Sequence, residues 1–134
     1  MAVYTKISDS ELKSFLAAYD IGELLNSVGI TEGVENSNYL LSTKRGRYIL
    51  TIYEKRVRPN DLPFFLCLME YLASRGVVCP VPVAGNDGRV LREIAGKPAA
   101  ILTFLSGSTE PQPGSRWCGG LGKELATLHL AGQD

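Results

Sequence analysis

Apolar residues near the start of the chain recur at the spacing of one helix face. They are Leu12, Phe15, Leu16 and Tyr19. Ser8 and Glu11 precede them in the form of a capping box, so a helix is predicted to begin there. A second short helix is predicted from Asp20, with Leu24 and Leu25 buried. Residues 1–27 are therefore interpreted as a helical N-terminal extension.

The pattern changes near Val28 to short apolar runs separated by turn residues. Runs rich in β-branched and aromatic residues predict strands at residues 39–41, 48–53, 89–94 and 99–105. A weaker strand is predicted before Gly33. Residues 44–46, 86–88 and 95–98 are predicted to form the turns.

Two further segments have helical spacing. Pro59 and Pro63 open the first, where a missing N–H is tolerated, and Gly76 is a suitable stop. Its apolar stripe is Leu62, Phe65, Leu66, Met69 and Leu72. An extended segment is predicted at residues 79–83, and a Pro- and Gly-rich linker at 106–114 follows the last two strands. The last helix is predicted over residues 115–130. Its apolar face carries Leu121, Leu125 and Leu128.

The order of these elements predicts an α+β fold. Short connections favour a mainly antiparallel five-stranded sheet, with the helix that contains Leu62 packed on one face. Residues 28–105 are interpreted as this sheet domain, 106–114 as a hinge and linker, and 115–134 as the start of a further lobe. The apolar face of the last helix has no obvious partner, so self-association is expected, or poor order after Leu105.

Composition excludes some partners. The chain carries 14 basic and 14 acidic side chains and a formal net charge of zero, which gives no electrostatic case for nucleic acid or a membrane surface. No apolar run is long enough to cross a bilayer, and no signal peptide is evident. The three cysteines are far apart in the sequence and odd in number, so free thiols and a reducing, cytoplasmic location are expected. Zinc is not expected, because the cysteines form no metal-binding motif and the single histidine is His129.

One turn between predicted strands could carry chemistry. Residues 32–38 read Glu-Gly-Val-Glu-Asn-Ser-Asn, and Gly and Asn tolerate the backbone angles of a tight turn. Such a turn can point backbone N–H groups at phosphate oxygens. It is not a P-loop, and by itself the segment favours a plain hairpin turn over a phosphate-binding turn.

Several longer strings resemble the N-terminal part of a bacterial homoserine kinase. They are EGVENSNYLL, YILTIYEKR, LPFFLCLMEYLASRG, CPVPV, PAAILTFLSG and LGKELATLH. This type of kinase shares its fold with aminoglycoside phosphotransferases and choline kinases. The ENSNY and LPFF strings are the more specific to homoserine kinases, and the resemblance spans residues 3–132.

The resemblance implies a kinase-like N-terminal lobe that binds ATP with Mg²⁺ and acts on L-homoserine, a step towards threonine. Two segments would contact the nucleotide. The first, called the nucleotide loop here, is Gly33, Val34, Glu35, Asn36, Ser37 and Asn38. The second is the hinge, where Thr103, Phe104 and Leu105 would offer backbone groups to adenine. His129 is expected to be structural.

The sequence departs from the family pattern in two ways. Relatives usually carry Lys or Arg in the third strand, where this chain has Thr51, and their partner Glu falls near Phe65. Lys55 and Glu70 are expected to be surface charges rather than substitutes. The family's catalytic Asp and its Mg²⁺ ligands would lie beyond Asp134, so the chain by itself is expected to be inactive.

Two other interpretations stay open. Another kinase of the same superfamily could act on choline, an aminoglycoside or a sugar. A stand-alone module could bind a nucleotide or a partner protein without chemistry, since fold-level likeness does not settle function.

Overall fold

The computed structural model describes residues 3–133, which contain three α-helices and five strands. The helices are α1 (Asp9–Leu16), α2 (Leu62–Ser74) and α3 (Ser115–Ala131), and a 3₁₀ turn at Pro59–Asp61 leads into α2. The strands are β1 (Leu24–Gly29), β2 (Ser37–Thr43), β3 (Gly46–Ile52), β4 (Arg92–Ile94) and β5 (Lys97–Thr103).

All neighbouring strands of the sheet are antiparallel, in the order β1-β2-β3-β5-β4. Strand β3 is central: its Leu50 lies opposite Tyr39 of β2 and Ile101 of β5. The extended segment before β4 also joins the sheet, through an isolated bridge between Pro82 and Leu102. The predicted antiparallel five-stranded sheet is therefore confirmed.

Helix α1 covers one face of the sheet and begins as the sequence predicts. The Glu11 backbone N–H donates to Ser8 Oγ at 3.2 Å, and the Ser8 N–H donates to Glu11 Oε2 at 2.8 Å. This reciprocal pair satisfies two of the donors that a helix start leaves free. The buried core on this side combines residues of α1 and its C-terminal turn with sheet residues. It includes Leu12, Phe15, Leu16, Tyr19, Tyr39, Leu41, Leu50, Ile52, Ala99 and Ile101.

Helix α2 covers part of the opposite face. Leu66 is 1% exposed and packs with Ala100 and Leu102 of β5. Pro63 lies in the first turn, and the chain leaves the helix at Gly76 with φ +88°. Phe65 differs from the prediction: it was placed on the apolar stripe but is 48% exposed. The buried side of the helix is narrower than the stripe, because only Leu62 and Leu66 are fully covered.

The second predicted helix, from Asp20, is wrong. Residues Leu24–Gly29 form β1, which pairs with β2, and Leu25 is 61% exposed. Two adjacent leucines favoured a helix locally, but the backbone hydrogen bonds offered by β2 decide the conformation. The sheet therefore begins before residue 28, inside the segment interpreted as a helical extension.

The last helix has a largely exposed apolar side. Residues 106–114 contain no helix or strand, and α3 then extends from Ser115 to Ala131. Trp117, Leu121, Leu125 and Leu130 are between 44% and 66% exposed, whereas Leu128 is half-buried. Within residues 3–133, none of the helices combines the length and the apolar character needed to cross a membrane.

We expect the 134-residue chain to self-associate through α3, because association removes exposed leucine side chains from water. Light scattering should give an average mass that rises with protein concentration. The double substitution Leu121→Gln and Leu125→Gln should lower that mass towards the monomer. Val78→Gln is the matched control, since Val78 is also exposed but lies outside α3. A wild-type chain that stays monomeric with a protected α3 would contradict this expectation.

Candidate functional site

A cleft of about 340 Å³ lies where the start of β2, the middle of β3 and the end of β5 meet. Its lining consists of Asn38, Ile49, Thr51, Pro80, Leu102, Thr103, Phe104 and Leu105. The cleft therefore joins Asn38 of the predicted nucleotide loop to all three residues of the predicted hinge. These two segments are more than sixty residues apart in the sequence, and the order of strands in the sheet brings them together.

The hinge side of the cleft is held by the extended segment that precedes β4. Thr103 makes two hydrogen bonds with Val81: its N–H donates to the Val81 carbonyl at 2.9 Å, and its Oγ1 accepts from the Val81 N–H at 2.9 Å. Phe104 follows the end of β5, and the Arg47 guanidinium lies 4.3 Å from the centre of its ring. Thr103 and the Phe104 ring are thus held in place where they line the cleft.

Thr51 occupies the place on β3 where the resemblance leads one to look for a cation. It is 6% exposed, and its hydroxyl donates to Asn38 Oδ1 at 2.8 Å. The Asn38 side-chain oxygen accepts this bond, and the two N–H donors of the same side chain lie on its amide nitrogen. Lys55 and Glu70 lie at the surface, as the sequence indicates. The cleft therefore has a neutral hydroxyl–amide pair and no cationic side chain in its lining.

The nucleotide loop connects β1 and β2 beside this cleft. Gly33 has φ +100°, a conformation that β-branched residues rarely adopt, so a glycine suits this position. Val34 and Glu35 are exposed, and Arg56 lies 4.0 Å from Glu35. Of the six residues in the loop, only Asn38 lines the cleft. Nucleotide contact stays a prediction for all six loop residues and for the three hinge residues.

A polar cluster supports the far end of the loop, and its members are Thr5, Ser37, Glu54 and Lys97. The Glu54 carboxylate accepts from Thr5 Oγ1 at 2.6 Å, from Ser37 Oγ at 2.7 Å and from Lys97 Nζ at 2.5 Å. Its side chain is 9% exposed. The Glu54 N–H also donates to Asn36 Oδ1 at 3.3 Å. Asn36 and Ser37 thus direct polar atoms to this cluster.

Sequence reasoning missed Glu54, Lys97 and Thr5 as supports of the site. They come from three distant segments, and each alone reads as an ordinary polar residue near a strand end. The one available signal was that Glu54 follows an apolar run and Lys97 precedes another, which is the placement of a charge pair at one end of two paired strands.

The environment of Glu54 favours its charged form. Burial by itself would raise the pKa of this carboxyl. The hydrogen bonds from Lys97, Thr5 and Ser37, together with the charge of Lys97, outweigh burial and leave the pKa below its ordinary value. Glu54 is therefore an ionised anchor at neutral pH.

The described residues offer no metal site of their own. Within residues 3–133, no three His, Cys, Asp or Glu side chains form a group that could hold a metal ion. The residues that line the cleft can position a ligand through hydrogen bonds and apolar contacts.

Comparison with known proteins shows the family of this chain. The model of the phosphotransferase enzyme family matches residues 27–134. The chain is 59% identical over 132 residues to a homoserine kinase of Bradyrhizobium diazoefficiens, covering 98% of this chain and 40% of that protein. It is 59% identical over 134 residues to a homoserine kinase of Xanthobacter autotrophicus, covering 100% of this chain and 42% of that protein. The chain thus spans about two fifths of the length of these curated relatives.

A solved structure has the same fold. It is a spectinomycin phosphotransferase in complex with ADP and spectinomycin, with a TM-score of 0.73 and 15% sequence identity. The match covers 97% of this chain and 40% of that one. The predicted kinase-like N-terminal lobe is therefore confirmed at the level of the fold.

The lowered pKa of Glu54 predicts how its contribution to stability depends on pH. At pH 7, Glu54→Gln should lower the free energy of unfolding by about 1–3 kcal/mol, because Lys97 loses a charged partner. Below about pH 4.3 the unfolded chain binds a proton at this residue before the folded chain does. The difference between wild type and variant should therefore shrink as the pH falls through the lowered pKa.

Urea unfolding followed at several pH values measures this difference. Glu70→Gln is the matched control, since it removes an exposed glutamate of α2 and should change the free energy of unfolding little at any pH. A Glu54→Gln effect of constant size from neutral to acidic pH would contradict the assignment of Glu54 as an ionised anchor.

Proposed function

Since this chain belongs to the phosphotransferase enzyme family, we propose that it forms the ATP-binding lobe of a homoserine kinase. The full-length enzyme would transfer the γ-phosphate of ATP to the side-chain hydroxyl of L-homoserine, a step towards threonine. The observation that carries this proposal is the identity of 56–59% to homoserine kinases over nearly the whole chain. A cytoplasmic location is part of the same proposal.

The cleft fits a nucleotide base. Its volume is in the range of small-molecule sites, and Ile49, Pro80 and Leu102 provide apolar walls for a flat aromatic ring. Because the Thr103 N–H already donates to the Val81 carbonyl, the Thr103 carbonyl and the Leu105 backbone are the groups that would pair with the polar edge of adenine. In this arrangement the Asn38 amide donates to the ribose or to a phosphate, and the amides of the nucleotide loop cover the phosphates.

In this proposal the negative charge of the ATP phosphates is neutralised mainly by groups outside the described residues. Phosphoryl transfer depends on Mg²⁺ and on cationic or dipolar groups that compensate the phosphate charge. We propose that the Mg²⁺ ligands and the catalytic Asp lie in the part of the enzyme that corresponds to the unmatched length of the relatives. The 134-residue chain by itself would then bind nucleotide without turnover.

The full-length enzyme should prefer L-homoserine to choline, L-threonine and an aminoglycoside. A site that pairs both the carboxylate and the ammonium of an amino acid leaves groups unmatched with choline, which needs an aromatic cage for its cation. Measuring ADP release at fixed MgATP should give the highest kcat/KM with L-homoserine, by about two orders of magnitude or more.

The 134-residue chain is the control in this assay and should give no homoserine-dependent ADP release. A higher kcat/KM with choline, an aminoglycoside or a sugar would reject homoserine and keep a kinase of the same family. Nucleotide binding without transfer to any acceptor by the full-length protein would instead favour a non-catalytic binding module.

The nucleotide loop can be tested with Gly33→Val in the full-length enzyme. Valine is strained at φ +100° and should distort the loop, although a Cβ there meets no atom within 4 Å. We expect the KM for ATP to rise by about tenfold, with a smaller change in the KM for homoserine. Asn36→Ala should act in the same direction, because it removes the acceptor of the Glu54 N–H.

Gly76→Val is the matched control for backbone strain. Gly76 has φ +88° and equally open space around a Cβ, but it ends α2 and does not line the cleft. It should lower stability while leaving the KM for ATP near the wild-type value. Unchanged ATP kinetics in both Gly33→Val and Asn36→Ala would reduce the loop to a plain hairpin turn.

A further inference from the structure

The residues before α1 contact the nucleotide loop at two points. The Tyr4 hydroxyl donates to the Val34 carbonyl at 2.9 Å, next to Gly33 in the exposed part of the loop. The backbone N–H groups of Tyr4 and Thr5 both donate to Ser37 Oγ, at 2.8 and 3.0 Å, at the start of β2. A segment about thirty residues earlier in the sequence therefore holds both parts of the loop.

Ser37 is the meeting point of these contacts. It is fully buried, and its one hydroxyl accepts two backbone N–H groups while it donates to Glu54 Oε1 at 2.7 Å. All the hydrogen-bonding capacity of the hydroxyl is thereby used. Connected hydrogen bonds of this kind strengthen one another in a weakly solvated site, so a loss at one member weakens the others.

The Glu54–Lys97 ion pair anchors the network to the sheet. Lys97 Nζ donates both to Glu54 Oε2 at 2.5 Å and to Thr5 Oγ1 at 2.7 Å, and the Thr5 hydroxyl donates to Glu54 at 2.6 Å. The Thr5 carbonyl accepts from the Tyr39 hydroxyl at 2.6 Å. The N-terminal segment is thus attached to β2, to β5 and to Glu54, which lies two residues after β3.

These contacts have a consequence for ligand binding. A glycine-containing loop that orders only when ligand arrives loses conformational entropy at that moment, which weakens binding. A loop whose backbone is already held by Tyr4, Ser37 and Glu54 avoids part of that loss. The backbone amides of such a loop can bind a phosphate group without further ordering of the loop.

We propose that Tyr4, Thr5, Ser37, Glu54 and Lys97 form a loop clamp that prearranges the nucleotide loop for the phosphates of ATP. In this proposal, which rests on the proposed function, Tyr4 and Thr5 are positioning residues and do not contact the nucleotide. The N-terminal segment is then a functional part of the ATP site rather than an extension that precedes the lobe.

Substitutions that delete single hydroxyl groups test the clamp with little change in shape. Tyr4→Phe removes the bond to Val34, and Thr5→Val removes the hydroxyl between Glu54 and Lys97. In the full-length enzyme, the double variant should raise the KM for MgATP by about five- to tenfold. The kcat and the KM for the acceptor should stay within about twofold of wild type, because the reacting groups are untouched.

Asp87→Asn is the matched control. Asp87 accepts two bonds from Arg92, at 3.0 and 3.1 Å, away from the cleft lining. This variant also breaks an ion pair, here between residues five apart in the sequence, and it should lower the melting temperature without a change in the KM for MgATP. A general loss of stability is thereby separated from a loss of loop order.

Amide hydrogen exchange in the 134-residue chain tests the clamp without any nucleotide. Residues 33–36 should exchange faster in Tyr4→Phe and in the double variant than in wild type or Asp87→Asn. Unchanged exchange there would overturn the clamp, and faster exchange with an unchanged KM for MgATP would overturn its role for the nucleotide. A third outcome is faster exchange in the variants together with no MgATP binding by the full-length wild type. The clamp would then support the loop, but the proposed function and the role of the clamp for ATP would both be overturned.

Discussion

The two-residue period of β3 is the constraint on which the rest of this structure depends. Strand β3 pairs with β2 on one side and β5 on the other, so alternate side chains must point to opposite faces of the sheet. Leu50 and Ile52 point to the core beneath α1, whereas Ile49 and Thr51 point to the face that carries α2 and the cleft. A shift of one residue in the register would exchange core and cleft.

The cleft combines a neutral interior with charged support outside it. A buried cation at position 51 would need a carboxylate partner, because an unpaired buried charge is costly, and none of the described residues that line the cleft is acidic. Thr51 instead satisfies its hydroxyl on Asn38 within the sheet. The charged pair of this region, Glu54 with Lys97, lies at the end of the nucleotide loop, where it stabilises the backbone.

The exposed side of α3 and the length of the chain relative to its relatives have a common explanation. The sheet domain buries both of its faces, at least in part, against α1 and α2, while α3 leaves Leu121 and Leu125 in water. The chain also spans about 40% of the length of its homoserine kinase relatives. Both observations agree with the proposal that an ATP-binding lobe is completed by a second lobe that covers α3 and supplies the catalytic groups.

The sequence by itself determined the features that depend on local patterns. The capping box of α1, the existence of β3 and β5, the stop of α2 at Gly76 and the extent of α3 follow from spacing, caps and turn residues, although β3 spans Gly46–Ile52 rather than the predicted 48–53. The strings of the nucleotide loop and the hinge also pointed to two segments of one site. Each of these signals lies within a few residues of the chain, which is why it can be read without the fold.

Tertiary structure decided what depends on distant neighbours. Residues Leu24–Gly29 became a strand because β2 offers an edge with unpaired backbone groups, although the two leucines favoured a helix. Phe65 became exposed because the sheet covers only a narrow side of α2. Thr5, Ser37, Glu54 and Lys97 meet only after the sheet has formed, since a hydrogen bond between distant segments leaves no periodic trace in the sequence.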